Sequence, residues 1–331
     1  MYLGIEIGGT KLQLGLGAGD GVLAALRRLP VDVMAGGDGI RRQIQQAVPE
    51  LLHAAGVERA AVRGVGIGFG GPVDDATRRV LKSHQVEGWS DYPLAEWVER
   101  QLGWPAVLGN DADVAGLAEA LFGAGRGLSP IFYITIGSGI GGGLIIDGEI
   151  YRGCGKGAAE IGHLRVGVAY DYYVSTLEQE SSGWAIGRKA ARELMTRQPA
   201  SDAGLILWRL VNGDVDKLTA EHVAHAAAQG DRLAETILTG AWVHLAEAIC
   251  QVIALLCPRR IVIGGGVSLM GERLLFQPLR RLVAERVFPP FADCSDIVPA
   301  ALGEAVVVHG ALALARKRLA AAGGARGRGG S

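Results

Sequence analysis

Thr135-Ile136-Gly137-Ser138-Gly139-Ile140-Gly141-Gly142-Gly143 runs directly into Leu144-Ile145-Ile146, and this junction separates the possible folds. Gly137, Gly139 and Gly142 spell GxGxxG, but a dinucleotide-binding fingerprint has to open a helix. Here the apolar residues after it read as a strand, and no acidic residue stands at the required distance. The Walker pattern GxxxxGK[ST] is absent as well, which excludes the usual P-loop fold. What remains is a strand from Ile131 to Ile136, a glycine turn, and a strand that ends at Asp147-Gly148.

The same plan stands at the beginning of the chain. Tyr2 to Ile7 reads as a strand, Gly8-Gly9-Thr10 as the turn, and Lys11 to Gly17 as the returning strand. Glycine makes up 51 of the 331 residues, about twice the ordinary share of roughly 7%. Two further clusters, Gly68-Phe69-Gly70-Gly71 and Gly264-Gly265-Gly266, follow the short apolar runs Val62 to Ile67 and Ile261 to Ile263. Pro105 to Leu108 is another short strand, ending at Asn110-Asp111. Helical spacing predicts helices over 39–55 (with a kink at Pro49), after Asp111, and over 182–196, 233–257 and 303–319. Two related α/β lobes facing a central cleft are expected. Residues 1–115 form the first, with the closing helix 303–320 packed back on it; residues 116–302 form the second; residues 321–331 are a disordered tail.

With 49% hydrophobic and 20% charged residues, the composition is that of a soluble globular protein with a real core. A formal net charge of −1 supplies no field for nucleic acid or an anionic membrane. The long apolar stretch Leu233 to Cys257 is interrupted by Glu235, His244, Glu247 and Gln251, so it reads as a buried helix rather than a membrane span. Cys154, Cys250, Cys257 and Cys294 are scattered and no export signal precedes them. Free thiols and a cytoplasmic location are the expectation.

Successive backbone N–H groups in glycine turns form a concave donor surface suited to phosphate oxygens. Gly8, Gly9, Thr10 and Lys11 together with Gly137, Ser138 and Gly139 are therefore the candidate site for the β and γ phosphates of ATP. Mg²⁺ takes only one or two carboxylates and keeps several waters, and Glu6, at the edge of the first turn, is placed to hold it through water. Asp111, at a helix start, reads either as an N-cap or as a carboxylate base.

Together these motifs resemble the ROK family of repressors, open reading frames and sugar kinases. The resemblance rests on Gly4-Ile5-Glu6-Ile7-Gly8-Gly9-Thr10-Lys11, Gly66 to Asp74, Asn110-Asp111-Ala112-Asp113, Ile136 to Gly143, Glu160-Ile161-Gly162-His163, Leu177-Glu178 and Ile261 to Ser268, in the family's order over nearly the whole chain. It implies a two-lobed actin/hexokinase-like (ribonuclease H-like) ATPase fold. ATP phosphates would lie on the first turn and the Gly137 turn, and the nucleoside against Gly264, Gly265 and Gly266. Asp111 would be the catalytic base; Gly71, Asn110, Glu160, His163 and Glu178 would meet the sugar, and a homodimer is common. The expected reaction is ATP-dependent phosphorylation of a hexose. Glucose, giving glucose 6-phosphate, is the first expectation because the sugar-binding set is complete; fructose, mannose, allose and N-acetylated amino sugars stay open.

Three departures stand out. Glu6 occupies the family's usual Asp position. No cysteine follows His163 between Leu164 and Thr176, where many members carry a CxCGxxGC zinc segment. A site of that type needs thiolates, so structural zinc is expected to be absent and the loop held by packing of Tyr170, Tyr172 and Tyr173. Gln85-Val86, after His84 and before Gly88-Trp89, replaces the family's Asn-Leu, which leaves Gln85 or His84 to contact the sugar. A sugar-sensing repressor would need a helix-turn-helix before the first glycine turn, which here begins at Gly8. A catalytically silent sugar-binding protein is the remaining alternative.

Overall fold

The computed structural model describes residues 1–83, 86–154, 157–167, 175–196 and 203–326, with side chains up to residue 320. It divides into two compact units. The first comprises Met1–Ser129, Gly143–Ala158 and the chain from Ala301 onward; the second comprises Pro130–Gly142 and Ala159–Ala300.

The first unit is built on β1 (Tyr2–Ile7), β2 (Lys11–Gly17), β3 (Leu23–Pro30) and α1 (Gly36–Ala54), followed by β4 (Val65–Phe69) and the two-residue strands β5 (Val73–Asp74) and β6 (Arg79–Val80). Then come α2 (Leu94–Leu102), β7 (Ala106–Asn110) and α3 (Asp111–Phe122). The main sheet has the order β3-β2-β1-β4-β7. Its centre is β1, fully buried along its length, antiparallel to β2 and parallel to β4, which is parallel to β7. The register places Ile7 beside Phe69 and Phe69 beside Asn110, so three motif-bearing loops leave the same edge. Ligands of open α/β sheets bind at such carboxyl ends. Pro49 does not break α1. It faces solvent, as does Gln45, whose carbonyl loses its intrahelical partner there and is open to water.

The second unit follows β8 (Ile131–Ile136). The strand β9 (Ile140–Ile146) is shared, with Ile140–Gly142 in the second unit and Gly143–Ile146 in the first. After β10 (Glu149–Ile150), β11 (Arg165–Val166) and β12 (Ser175–Thr176) come α4 (Leu177–Ser181), α5 (Gly183–Thr196), α6 (Leu205–Leu210), α7 (Ala220–Ala228) and α8 (Arg232–Leu256). Next are β13 (Arg260–Gly264), α9 (Gln277–Ala284) and β14 (Asp296–Pro299). The sheet order is β10-β9-β8-β13-β14, with β8, β13 and β14 parallel. It repeats the first sheet's plan of a glycine-turn hairpin followed by parallel strands. By length and composition α8 could cross a membrane, but it packs against α4, α5, α7 and α9 and buries Leu238, Trp242, Leu245 and Ile249.

The closing helix α10 (Val306–Arg326) covers the first sheet, packing on β1, β4 and α3. Its approach is close: a Cβ on Gly66 would stand 1.8 Å from the Ala311 carbonyl oxygen, so only glycine fits there. Two expectations are corrected. The helix runs on past residue 320 to Arg326, where a disordered tail was expected, its first added residues being the helix-forming Ala321 and Ala322; residues 327–331 lie outside the described residues. The first unit also extends to Ser129 rather than 115. Here α3 packs on α10, and the fully buried Glu119 fastens its far end. Its Oε2 accepts from the Ala124 amide at 2.7 Å, and its Oε1 accepts from the Ala301 and Leu302 amides at 2.9 Å each.

On α10, burial pushes the His309 imidazole below its ordinary pKa, with the Glu119 charge opposing. A lowered histidine pKa means that the fold prefers the neutral ring. Its stabilising contribution is present above the unfolded-state pKa and is lost as pH falls through the unfolded and then the folded value. Unfolding temperature should therefore drop between about pH 7 and 5.5. His309→Asn should flatten that slope, and an equal slope in the variant would contradict the assignment.

Candidate active site

In the first unit the carboxyl ends of β1, β4 and β7 bring three motifs together. The Gly8 amide donates to the Lys11 carbonyl at 3.0 Å, closing the first turn, and the Gly70 amide donates to the Ile7 carbonyl at 2.8 Å. A Cβ on Gly70 would lie 3.3 Å from Ile7 O, 3.4 Å from Asp111 Oδ2 and 3.5 Å from Gly8 Cα. Gly8, Gly70 and the Asp111 carboxylate thus surround one small space. Gly9 and Thr10 sit at the tip of the same turn.

The helix cap belongs to Asn110, not Asp111. Asn110 Oδ1 accepts from the amides of Ala112 at 2.9 Å and Asp113 at 3.3 Å, while its Nδ2 donates to the Gly71 carbonyl at 3.0 Å. Asparagine is among the best caps, and it leaves Asp111 as the first helical residue, where Oδ1 accepts from the Ala112 amide at 2.8 Å. Asn110 keeps one amide hydrogen for a ligand. Gly71 packs tightly, since a Cβ there would stand 2.8 Å from the Lys82 carbonyl oxygen. Gln85 and His84 lie outside the described residues.

Glu6, expected to hold Mg²⁺ through water, is gripped by protein partners at the edge of the first turn. Its carboxylate is buried, with Oε1 paired to Lys11 Nζ at 3.2 Å and Oε2 accepting from Gln13 Nε2 at 2.6 Å. Burial raises its pKa, with Lys11 opposing. Both oxygens are thus turned to protein partners, and the hairpin register pairs Glu6 with Gln13 directly. The pairing orients Lys11, whose side chain is 43% exposed and open to a phosphate. Among the described residues no group of three His, Cys, Asp or Glu side chains could hold a metal ion. Tyr170, Tyr172 and Tyr173 lie outside the described residues. The thiol-free loop still predicts that a chelator leaves the unfolding temperature unchanged; a fall of many degrees would restore the zinc.

The second unit assembles the other candidates around Ile140. The Gly137 amide donates to the Gly139 carbonyl at 2.9 Å across the turn whose tip is Ser138, and the Gly183 amide donates to the Gly137 carbonyl at 2.8 Å. Glu178, in the first turn of α4, accepts the Ile140 amide on Oε2 at 2.8 Å. Glu160 precedes a 3-10 turn, Ile161–His163, that ends on His163, and both residues are exposed. Gly162 lets this turn sit on β9: a Cβ there would be 2.1 Å from the Ile140 carbonyl oxygen. The turn that bears Glu160 and His163 and the carboxylate of Glu178 thus both meet Ile140.

The third glycine cluster leans on the same turn. Gly264 pairs in register with Thr135, and Gly265 adopts φ +83°. A Cβ on Gly265 would lie 2.5 Å from the carbonyl oxygen of Ile136, immediately before Gly137. Gly137 and Gly266 differ from these: nothing lies within 4 Å of a Cβ on either. The protein's own packing does not demand glycine there, and the open ground suits a ligand.

Sequence reasoning missed Arg152. Its Nη1 meets Asp113 Oδ2 at 2.5 Å and its Nη2 meets Asp75 Oδ1 at 2.8 Å, tying the segment after Gly71 to the first turn of α3. No spacing rule links residues so far apart. The clue available was Asp113, a charge on the apolar side of a helix start.

The ROK family model matches residues 2–318. A glucokinase from Thermotoga maritima is 32% identical over 323 residues, covering 96% of this chain and 98% of the relative. The crystal structure of a ROK family glucokinase from Streptomyces griseus, in complex with glucose and AMPPNP, is 31% identical. It aligns with a TM-score of 0.78 over 96% of this chain and 99% of that one. The ROK hexokinase from Thermus thermophilus is 25% identical, with a TM-score of 0.74 over 94% and 96% of the two chains. The α/β architecture, with its twice-used hairpin and parallel strands, is therefore the actin/hexokinase-like fold. Matched over nearly its whole length, with the glycine turns and the Asn-Asp pair in place, the chain belongs to the ROK family.

Proposed function

We propose that this protein is an ATP-dependent sugar kinase that transfers the γ-phosphoryl group of ATP to a hexose hydroxyl, with glucose as the preferred sugar and glucose 6-phosphate as the product. The observation that carries this reading is the grouping of Gly8, Gly70 and the Asp111 carboxylate at the ends of adjacent parallel strands. A glycine turn of the kind that suits phosphate oxygens thereby lies beside a carboxylate.

Phosphoryl transfer asks a protein mainly for positioning and charge neutralisation, with one carboxylate to take the hydroxyl proton. Asp111 accepts that proton as the sugar oxygen attacks the γ-phosphorus, and ADP leaves. The amides of the Gly8 and Gly137 turns and the ammonium of Lys11 meet phosphate oxygens, while Gly266 gives the nucleoside room. Asn110, Glu160, His163 and Glu178 hold the other hydroxyls. Mg²⁺ accompanies the nucleotide in such kinases and neutralises phosphate charge; no residue of this chain is assigned to it.

A coupled assay of ADP release tests the reading, run with glucose, fructose, mannose, allose and N-acetylated amino sugars. Glucose should give the highest kcat/KM. A different best sugar would keep the kinase and change the substrate. Release with none of them would leave a silent sugar-binding protein.

A further inference from the structure

Glu178 occupies a place that a simple sugar ligand does not need. Thr176 and Gln179 close a capping box around the start of α4, which fixes the backbone from which Glu178 projects. One carboxylate oxygen, Oε2, accepts the Ile140 amide at 2.8 Å. The same oxygen lies 2.4 Å from where a Cβ on Gly139 would stand. A side chain at 139 and Glu178 in this position exclude each other. The Gly139 carbonyl in turn accepts from Gly137, and the Gly137 carbonyl accepts from Gly183 at the head of α5. The carboxylate thus underpins the whole turn from below.

We propose that Glu178 couples the two substrates: a positioning residue for the nucleotide, it sets the geometry of the Gly137–Gly139 turn according to whether a sugar hydroxyl holds its other oxygen. The inference rests on the kinase reading, which gives Glu178 to the sugar. A carboxylate has two oxygens and about four acceptor sites, so it can serve the turn and a hydroxyl together. A hydroxyl bound to Oε1 fixes the plane of the carboxylate, which holds Oε2 under Gly139 and keeps the turn's amides aimed at the phosphates. Pre-organising those donors removes an ordering cost from nucleotide binding. The coupling is reciprocal: the factor by which sugar tightens nucleotide equals the factor by which nucleotide tightens sugar.

Calorimetry of the full-length protein with AMPPNP, with and without saturating glucose, reads this factor without turnover. In the wild-type protein glucose should tighten AMPPNP by about five-fold or more. Gly139→Ala pushes the carboxylate off the turn without removing it. That variant should still bind glucose, while the coupling falls below about two-fold. Glu178→Gln, which keeps one oxygen for the Ile140 amide and presents an NH2 in place of the other, should lose most of the coupling when measured at glucose concentrations that saturate the variant; it also serves if the alanine variant fails to fold. Wild-type coupling in both variants overturns the inference, as does a wild-type protein that binds both ligands independently; neither result touches the kinase reading. A wild-type protein that binds neither ligand overturns both.

Discussion

Asp111→Asn lowers kcat by about a thousand-fold or more while leaving the KM for sugar within a few-fold of the wild-type value. General-base catalysis by a positioned side chain contributes roughly 10²–10⁴-fold, and in this site the Asp111 carboxylate stands at the carboxyl end of β7 beside the first turn. The amide is nearly the same size and can still hydrogen-bond a hydroxyl, so binding survives and only proton acceptance is lost. Because Asn110 rather than Asp111 caps α3, the substitution spares the helix start, and the unfolding temperature should stay within a few degrees. A loss shared equally between kcat and stability would point instead to a structural role. Undiminished turnover would remove Asp111 from the chemistry altogether.

The second large effect concerns stability. Glu119→Ala removes the acceptor of three backbone amides, those of Ala124, Ala301 and Leu302. Each buried donor left without a partner costs about 1–3 kcal/mol, so a loss of roughly 3–5 kcal/mol is expected. Glu119→Gln keeps one acceptor oxygen and should lose about half as much. Chemical denaturation measures both. Equal stability of the alanine variant and the wild type would mean that water replaces the carboxylate without cost.

The parts of the molecule that were legible in sequence are those governed by local rules. A glycine turn between two short apolar runs specifies a hairpin, and both hairpins lie where the sequence places them. The helix after Asp111 was legible from its spacing, but its cap was misplaced by one residue, because Asn and Asp are equally good caps and adjacent here. Strand β3 went unseen: Leu23–Pro30 is an edge strand whose half-exposed residues do not alternate cleanly. The Gln13 partner of Glu6 was readable, since a hairpin turning at Gly8-Gly9-Thr10 sets Glu6 opposite Gln13. The links from Glu178 to Ile140 and from Arg152 to Asp113 span dozens of residues, and only the folded chain brings them together.

The sheet that leads into Asp111 keeps the face across Gly4 and Gly66 open until the helix beginning at Val306 exists, because that helix lies directly on both glycines. During translation its strands emerge first and wait for that helix with part of an apolar face bare. Nascent chains of this construction cannot mature half by half, as strings of separate domains do. Loss of the final helix by premature termination should therefore send the product to aggregates or proteases rather than leave a shortened enzyme.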